Sequence, residues 1–284
     1  MSEPIYHHYV SAGYLRGFAK SGKHDVVHCV DLVAKKAFPA NVLKVGGEDH
    51  FNRLHGHPDP NALERAYADQ IEAPALTALK RALTVGSFPS ATEREAILLL
   101  FSLFAARNPK DRRALETTIE PLNKVLAISA LGPDSMNSQE THAALKMNSS
   151  KHASLELDLI HVIHRCLLDR KWRFLRSADD SQGFITSDYP VNLIEHPSKV
   201  KDDWGLGFAM EDMSVFIPLS SKYALLGDYN APEAVVQITK SGVAAFNSRI
   251  ICSATRQIYA YSDQFEFFGP DDQLLTGSNL PDVF

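Results

Sequence analysis

Two adjacent histidines, His7 and His8, stand near the start of the chain in Tyr6-His7-His8-Tyr9. Histidine titrates near neutrality, so either one suits general acid–base work. In an extended segment neighbouring side chains point to opposite faces, which keeps the pair from readily sharing one ion. The plainer reading is a histidine satisfied by packing and hydrogen bonds. Two carboxylates follow at Glu64 and Glu72, eight residues apart. On an unbroken helix they would share a face at about 12 Å, too wide for both to grip one metal. Solvated helix acids are the competing reading. Arg107, in Arg107-Asn108-Pro109, closes a strongly apolar stretch. A guanidinium there favours a helix C-terminus and can fork onto a carboxylate or phosphate. Ser187-Asp188-Tyr189-Pro190 follows the apolar Phe184-Ile185. Strand ends that lead into turns often display functional side chains, although a turn closed by its own Asp is as natural.

Weaker signals are spread along the rest of the chain. Asp158, His161 and His164 sit at helical spacing, as in Glu-x-x-His metal helices. Their neighbours Leu157, Ile160 and Ile163 and the lack of a second such motif favour a role at the edge of a core. His55-Gly56-His57-Pro58-Asp59 reads as a loop with chance histidines. There is no GxxxxGK[ST] loop, Gly-rich dinucleotide turn, HExxH or GxSxG, which argues against a P-loop ATPase, a nicotinamide enzyme, a zincin and an α/β-hydrolase.

The elements that must position these residues follow from periodicity. A short helix is expected to begin near Ser11. His24 to Val33 and Lys36 to Val45, joined by Asp31 to Lys35, read as a β-hairpin. Ala62 to Leu83 has helical spacing, and Pro74 should kink or split it. Ser90 to Arg107 is the clearest helix, with Thr92 as N-cap and Glu95 completing a capping box. Asn108-Pro109 stops it. Further helices are expected over Asp111 to Leu131, kinked at Pro121, over Gln139 to Met147, and over Ser154 to Trp172. Thereafter short β-type runs appear at 184–186, 214–217, 223–226 and 234–238, then a helix from Lys240 capped by Thr239, and a strand at 257–261. A hairpin, then helices, then strands predicts an α+β fold in which the N-terminal hairpin joins a C-terminal mixed or antiparallel sheet around a helical middle. One domain is expected over 1–268, with a helical subregion at about 61–172, a sheet subregion at 1–50 plus 173–261, and a flexible tail at 269–284.

Composition narrows the class. With 45% hydrophobic and 22% charged residues, the chain is an ordinary globular one. A net charge of −5, from 29 basic and 34 acidic residues, argues against bulk coating of nucleic acid. Cys29, Cys166 and Cys252 are far apart and read as buried free thiols in a reducing compartment. The apolar run Ala96 to Ala106 falls well short of the roughly 20 residues that span a bilayer. Met1-Ser2-Glu3-Pro4 lacks the layout of a secretory signal. A cytoplasmic protein with no membrane partner is the expectation.

Several of these segments, taken in order, resemble uncharacterised microbial proteins grouped as domain of unknown function 4238. The opening His7-His8-Tyr9-Val10-Ser11-Ala12-Gly13-Tyr14-Leu15-Arg16-Gly17-Phe18 is similar to that family's start, with Ser11 where proline is usual. Asp49-His50-Phe51-Asn52, Leu63-Glu64, Ile71-Glu72, Arg107-Asn108-Pro109, Phe184 to Val191, Ile217-Pro218-Leu219-Ser220 and Asn247 resemble its later landmarks. The likeness runs from His7 to about Tyr261 and carries no established activity. It groups His8, Glu72, Arg107 and Asp188 as a candidate catalytic set, with His7, Tyr14 and Ser187 as binding positions. Such residue types suit hydrolysis of a phosphodiester or similar anionic substrate: His8 as base or metal ligand, Glu72 and Asp188 as carboxylate ligands, Arg107 as anion clamp. A divalent metal is admitted as cofactor but not specified. A non-catalytic module binding a ligand or partner, and a purely structural polar network, are the alternatives.

Overall fold

The computed structural model of the protein describes residues 5–20, 25–195 and 207–283. From the N-terminus, β1 (Tyr6–His8) and α1 (Ala12–Leu15) precede β2 (Val26–Asp31), β3 (Lys36–Asn41) and β4 (Gly47–Asp49). The middle is helical: α2 (Ala62–Tyr67), α3 (Ala73–Val85), α4 (Ala91–Ala106), α5 (Pro109–Leu131), α6 (Gln139–Leu145) and α7 (Ser149–Leu168). Strands return as β5 (Lys171–Ser177), β6 (Thr186–Ser187), β7 (Asn192–Glu195), β8 (Met213–Pro218), β9 (Tyr223–Asp228) and β10 (Ala234–Ile238). Helix α8 (Lys240–Ser253), β11 (Gln257–Ala260), β12 (Glu266–Phe268), β13 (Leu274–Thr276) and α9 (Leu280–Val283) follow.

The architecture is α+β, and both ends of the chain share a sheet. β2 and β3 form the expected hairpin, closed by Asp31, whose Oδ1 accepts the Ala34 N–H at 2.9 Å. The expected hairpin start at His24 lies outside the described residues. β11 inserts between β2 and β6, giving an antiparallel sheet ordered β3-β2-β11-β6. A second sheet is ordered β10-β5-β9-β8-β7, and β10 runs parallel to β5. β1 pairs with β4, and β12 with β13.

The helical middle is organised around α4. Ile97, Leu98, Leu100, Phe101, Leu103 and Phe104 are all buried, because α4 packs against both α3 and α7. Each such side chain contributes about 1.5–3 kcal/mol of apolar transfer. Its N-cap is Ser90, not Thr92: the Ser90 hydroxyl accepts the Glu93 N–H at 3.2 Å and donates to the Glu93 carboxylate at 2.9 Å. The same Ser/Thr-x-x-Glu spacing occurs two residues before the expected box. At its other end Asn108 both halts α4 and caps α5, accepting the Lys110 N–H at 2.7 Å. Pro109 then takes the first helical position, where its missing N–H is harmless. The third helix therefore starts two residues before the expected Asp111, and it runs through Pro121 to Leu131.

Three further expectations are corrected. α7 begins at Ser149 rather than Ser154, because Asn148 caps it, and Trp172 belongs to β5. The segment after Gly269, expected to be loose, carries β13 and α9, and Leu280 is fully buried beside Phe265 and Phe267. Apolar anchors inside a polar stretch hold it. Cys252 is exposed, whereas Cys29 is buried and Cys166 intermediate, and all three are free thiols. Among the described residues no helix is long and apolar enough to cross a membrane.

Candidate functional site

Strand β1 sorts the two histidines to opposite sides, as an extended backbone must. His7 is fully buried, and its Nδ1 accepts the Asn52 N–H at 3.0 Å. His8 is half-buried, with Nε2 at 3.4 Å from the Val42 carbonyl oxygen. Burial holds its proton affinity below the ordinary value of 6.5; the Val42 carbonyl and the charge of Glu64 oppose this, and Arg107 adds to it. His8 therefore stands neutral at pH 7, within the electrostatic reach of Glu64 and Arg107.

The carboxylates reach that region through an irregular helix. Between α2 and α3, residues Ala68–Glu72 form a π-turn. Pro74 follows at the start of α3 and has no N–H to close an α-type bond, so the backbone ladder breaks where the sequence says it should. Glu72 ends the π-turn beside Arg107, whose Nη2 donates to Glu72 Oε1 at 3.3 Å. Glu64, one element earlier, accepts from Asn52 Nδ2 at 2.5 Å. Burial raises the Glu72 carboxyl above its ordinary 4.5; Arg107 opposes the rise and the Glu64 charge adds to it.

Arg107 is the centre of this group. Its side chain is fully buried at the C-cap of α4, and the guanidinium lies over the Tyr67 ring at 4.8 Å. Its Nε and Nη1 have no hydrogen-bond acceptor. The buried Tyr67 hydroxyl and Asn52 Oδ1 are likewise unmatched. Each such atom costs about 1–3 kcal/mol if left dry, so several together mark where a ligand or ordered water belongs. With neutral His8, the raised carboxyl of Glu72 and the Arg107 guanidinium, the group offers a base, an acid and an anion-binding fork.

The other expected residues make their contacts elsewhere. Asp188 is buried, and its carboxylate accepts backbone N–H groups of Thr255 at 2.8 Å, Arg256 at 2.7 Å and Gln257 at 3.1 Å. Burial raises its pKa, against the pull of those three donors. These bonds lock the turn into β11. They are long-range, not the self-closed turn the sequence also allowed. The Asp188 carbonyl accepts from Asn108 Nδ2 at 3.1 Å, which ties this turn to the residue after Arg107. Ser187 accepts the Tyr189 N–H at 3.0 Å and is fully buried. Tyr14 is in the core, packed on Phe18, Phe101 and Phe104, donating to the Pro218 carbonyl at 2.7 Å with Thr186 Oγ1 at 2.8 Å. So His8, Glu72 and Arg107 come together, His7 backs them, and Asp188, Ser187 and Tyr14 hold the frame.

Asn52, Tyr67 and Glu64 complete the group. Only Glu64 drew notice by its type and spacing; Asn52 and Tyr67 join through helix register and a loop contact that no local pattern reports. Asp158 and His161 are exposed, and His164 Nε2 sits 3.3 Å from the Glu95 carbonyl. Among the described residues, no three His, Cys, Asp or Glu side chains are grouped to hold a metal ion.

Fold and site together define an α+β protein with a buried His/Glu/Arg cluster whose donors are not all used. Residues 6–264 match the family model described as Protein of unknown function (DUF4238), and the chain belongs to that family. No curated protein and no solved structure matches it.

Proposed function

We propose that the His8/Glu72/Arg107 cluster hydrolyses a phosphodiester or a similar anionic ester. The observation that carries this reading is the buried Arg107 guanidinium with Nε and Nη1 unmatched, next to a carboxyl raised by burial and a histidine held neutral. A guanidinium in a low-dielectric setting is a strong binder of oxyanions. In this reading neutral His8 removes a proton from water as its oxygen bonds to phosphorus. The bond from phosphorus to the leaving oxygen breaks, and that oxygen takes the proton of Glu72. Arg107 holds the non-bridging oxygens, and burial, helped by the charge of Glu64, favours the protonated form of Glu72. The products are a monoester and an alcohol, and solvent returns both proton carriers to their starting states. Asp188 acts at a distance, through the turn tied to Asn108.

Because His8 must be neutral and Glu72 protonated, and burial moves their pKa values toward each other, activity should peak on the acidic side of neutrality. The test is release of 4-nitrophenol from bis(4-nitrophenyl) phosphate by wild type, His8→Asn, Glu72→Gln and Arg107→Met over pH 4–8. The expected result is a bell-shaped wild-type profile, with the three variants lowered about 100-fold or more. Wild type without turnover, yet stabilised by phosphate through Arg107, would leave a binding module in its place.

A further inference from the structure

A cavity lies apart from the Arg107 cluster and shares none of its residues. It is a groove of about 600 Å³ between α5 and α7, floored by Ala105 and walled by Leu115, Leu159, Val162, Ile163 and Phe208. That volume is in the range of small-molecule sites, roughly 300–1,000 Å³. Its lining stands open: Leu155, Leu159 and Val162 are 40%, 43% and 59% exposed. An open apolar hollow of this size asks for an apolar occupant.

The polar end of the groove sets the occupant's charge. Arg112 and Glu156 are there, but each is spent on the other through a two-pronged ion pair. Asp111 also lines the groove, half-buried, and makes no hydrogen bond or ion pair with any described residue. Lys110, its chain neighbour, has its ammonium 5.8 Å from the Tyr189 ring, and Tyr189 is a further lining residue. One carboxylate is therefore left without a hydrogen bond beside an aromatic ring, with the charge of Lys110 acting on it from outside the lining and that of Glu156 opposing it, in a hollow that is mostly apolar.

We propose that this groove binds a lipophilic amine, an apolar body bearing one ammonium group. The body would cover Leu155, Leu159, Val162 and Phe208, and the ammonium would pair with Asp111 against the Tyr189 ring.

The experiment uses three probes with one body: 4-phenylbutylamine, 4-phenylbutanol and 4-phenylbutyrate, titrated into the full chain and followed by NMR shifts. Saturable binding of the amine is expected, with the alcohol and the acid at least tenfold weaker. Asp111→Asn should weaken the amine about tenfold and leave the alcohol unchanged, and Val162→Trp, at an exposed position, should block all three. Equal binding of amine and alcohol, or an amine indifferent to Asp111→Asn, overturns the proposal. So does the absence of saturable amine binding. Light scattering supplies the remaining outcome: a dimer that Val162→Glu separates would assign the groove to a second copy of the chain.

Discussion

Arg107 and Arg112 are five residues apart, both buried, both over an aromatic ring and both facing a glutamate, yet one is closed and the other open. Arg112 spends every nitrogen: Nε and Nη2 fork onto Glu156 at 2.5 and 2.7 Å, and Nη1 donates to the Phe51 carbonyl at 2.5 Å. Its guanidinium also lies 3.5 Å from the centre of the Phe51 ring. Arg107 makes one contact to Glu72, at 3.3 Å, and leaves two nitrogens unmatched. A completed buried ion pair fixes a packing arrangement, whereas an incomplete one keeps binding capacity in reserve. The contrast separates a guanidinium whose donors are all used from one that keeps donors to spare.

The contrast breaks most easily at its closed end. Arg112→Ala should destabilise the protein by about 3–5 kcal/mol in chemical denaturation, because Glu156 is left charged and buried. A loss under about 1 kcal/mol would mean the pair is not closed at all. Next in size is Asp188→Asn, expected to cost about 2–3 kcal/mol, since an amide cannot accept all three N–H groups of residues 255–257. Arg107→Met should cost no more than about 2 kcal/mol. In wild type, inorganic phosphate should raise the melting temperature by occupying the open fork, and in Arg107→Met that rise should vanish. An equal phosphate response in both proteins would show that the unmatched nitrogens bind nothing.

The smallest effects are in the pH dependence of stability. The folded pKa of Glu72 is raised, so its contribution is fully present below 4.5 and is lost as pH climbs through the folded value. His8 has the opposite sign: its folded pKa is lowered, so its contribution is present above 6.5 and is lost as pH falls through the folded value. Glu72→Gln should therefore flatten the decline just above pH 4.5, and His8→Gln the loss just below pH 6.5, each read from denaturant midpoints at stepped pH.

How far the sequence reveals this arrangement depends on distance along the chain. The α4 core, the β2–β3 hairpin and the split near Pro74 rest on local spacing and proline chemistry, and they are readable directly. His8, Glu72 and Arg107 were recognisable by type, and their meeting was suggested by a family pattern rather than by spacing. The Arg112–Glu156 pair was invisible, because its partners are 44 residues apart and meet only when α5 lies against α7. Asp188 is legible by type, but its bonds are not: its partners are 67–69 residues further on, and a turn motif says nothing about a strand so remote. The α4 cap falls two residues before the expected one because two Ser/Thr-x-x-Glu spacings overlap there, and α7 starts earlier because Asn148 caps it.

The π-turn at Ala68–Glu72 makes the cluster sensitive to chain length as well as to side-chain identity. A π-turn is an α-helix carrying one surplus residue, so deleting Asp69 would bring α2 and α3 into α-type register, with Pro74 still leaving one backbone bond unmade. Everything before the deletion would then swing by about 100° relative to everything after it. Glu64 and Tyr67 would leave Glu72 and Arg107, although not one of these four residues had changed. Descendants of this chain could thus lose the cluster through one missing codon, with every residue that defines it still in its reading order.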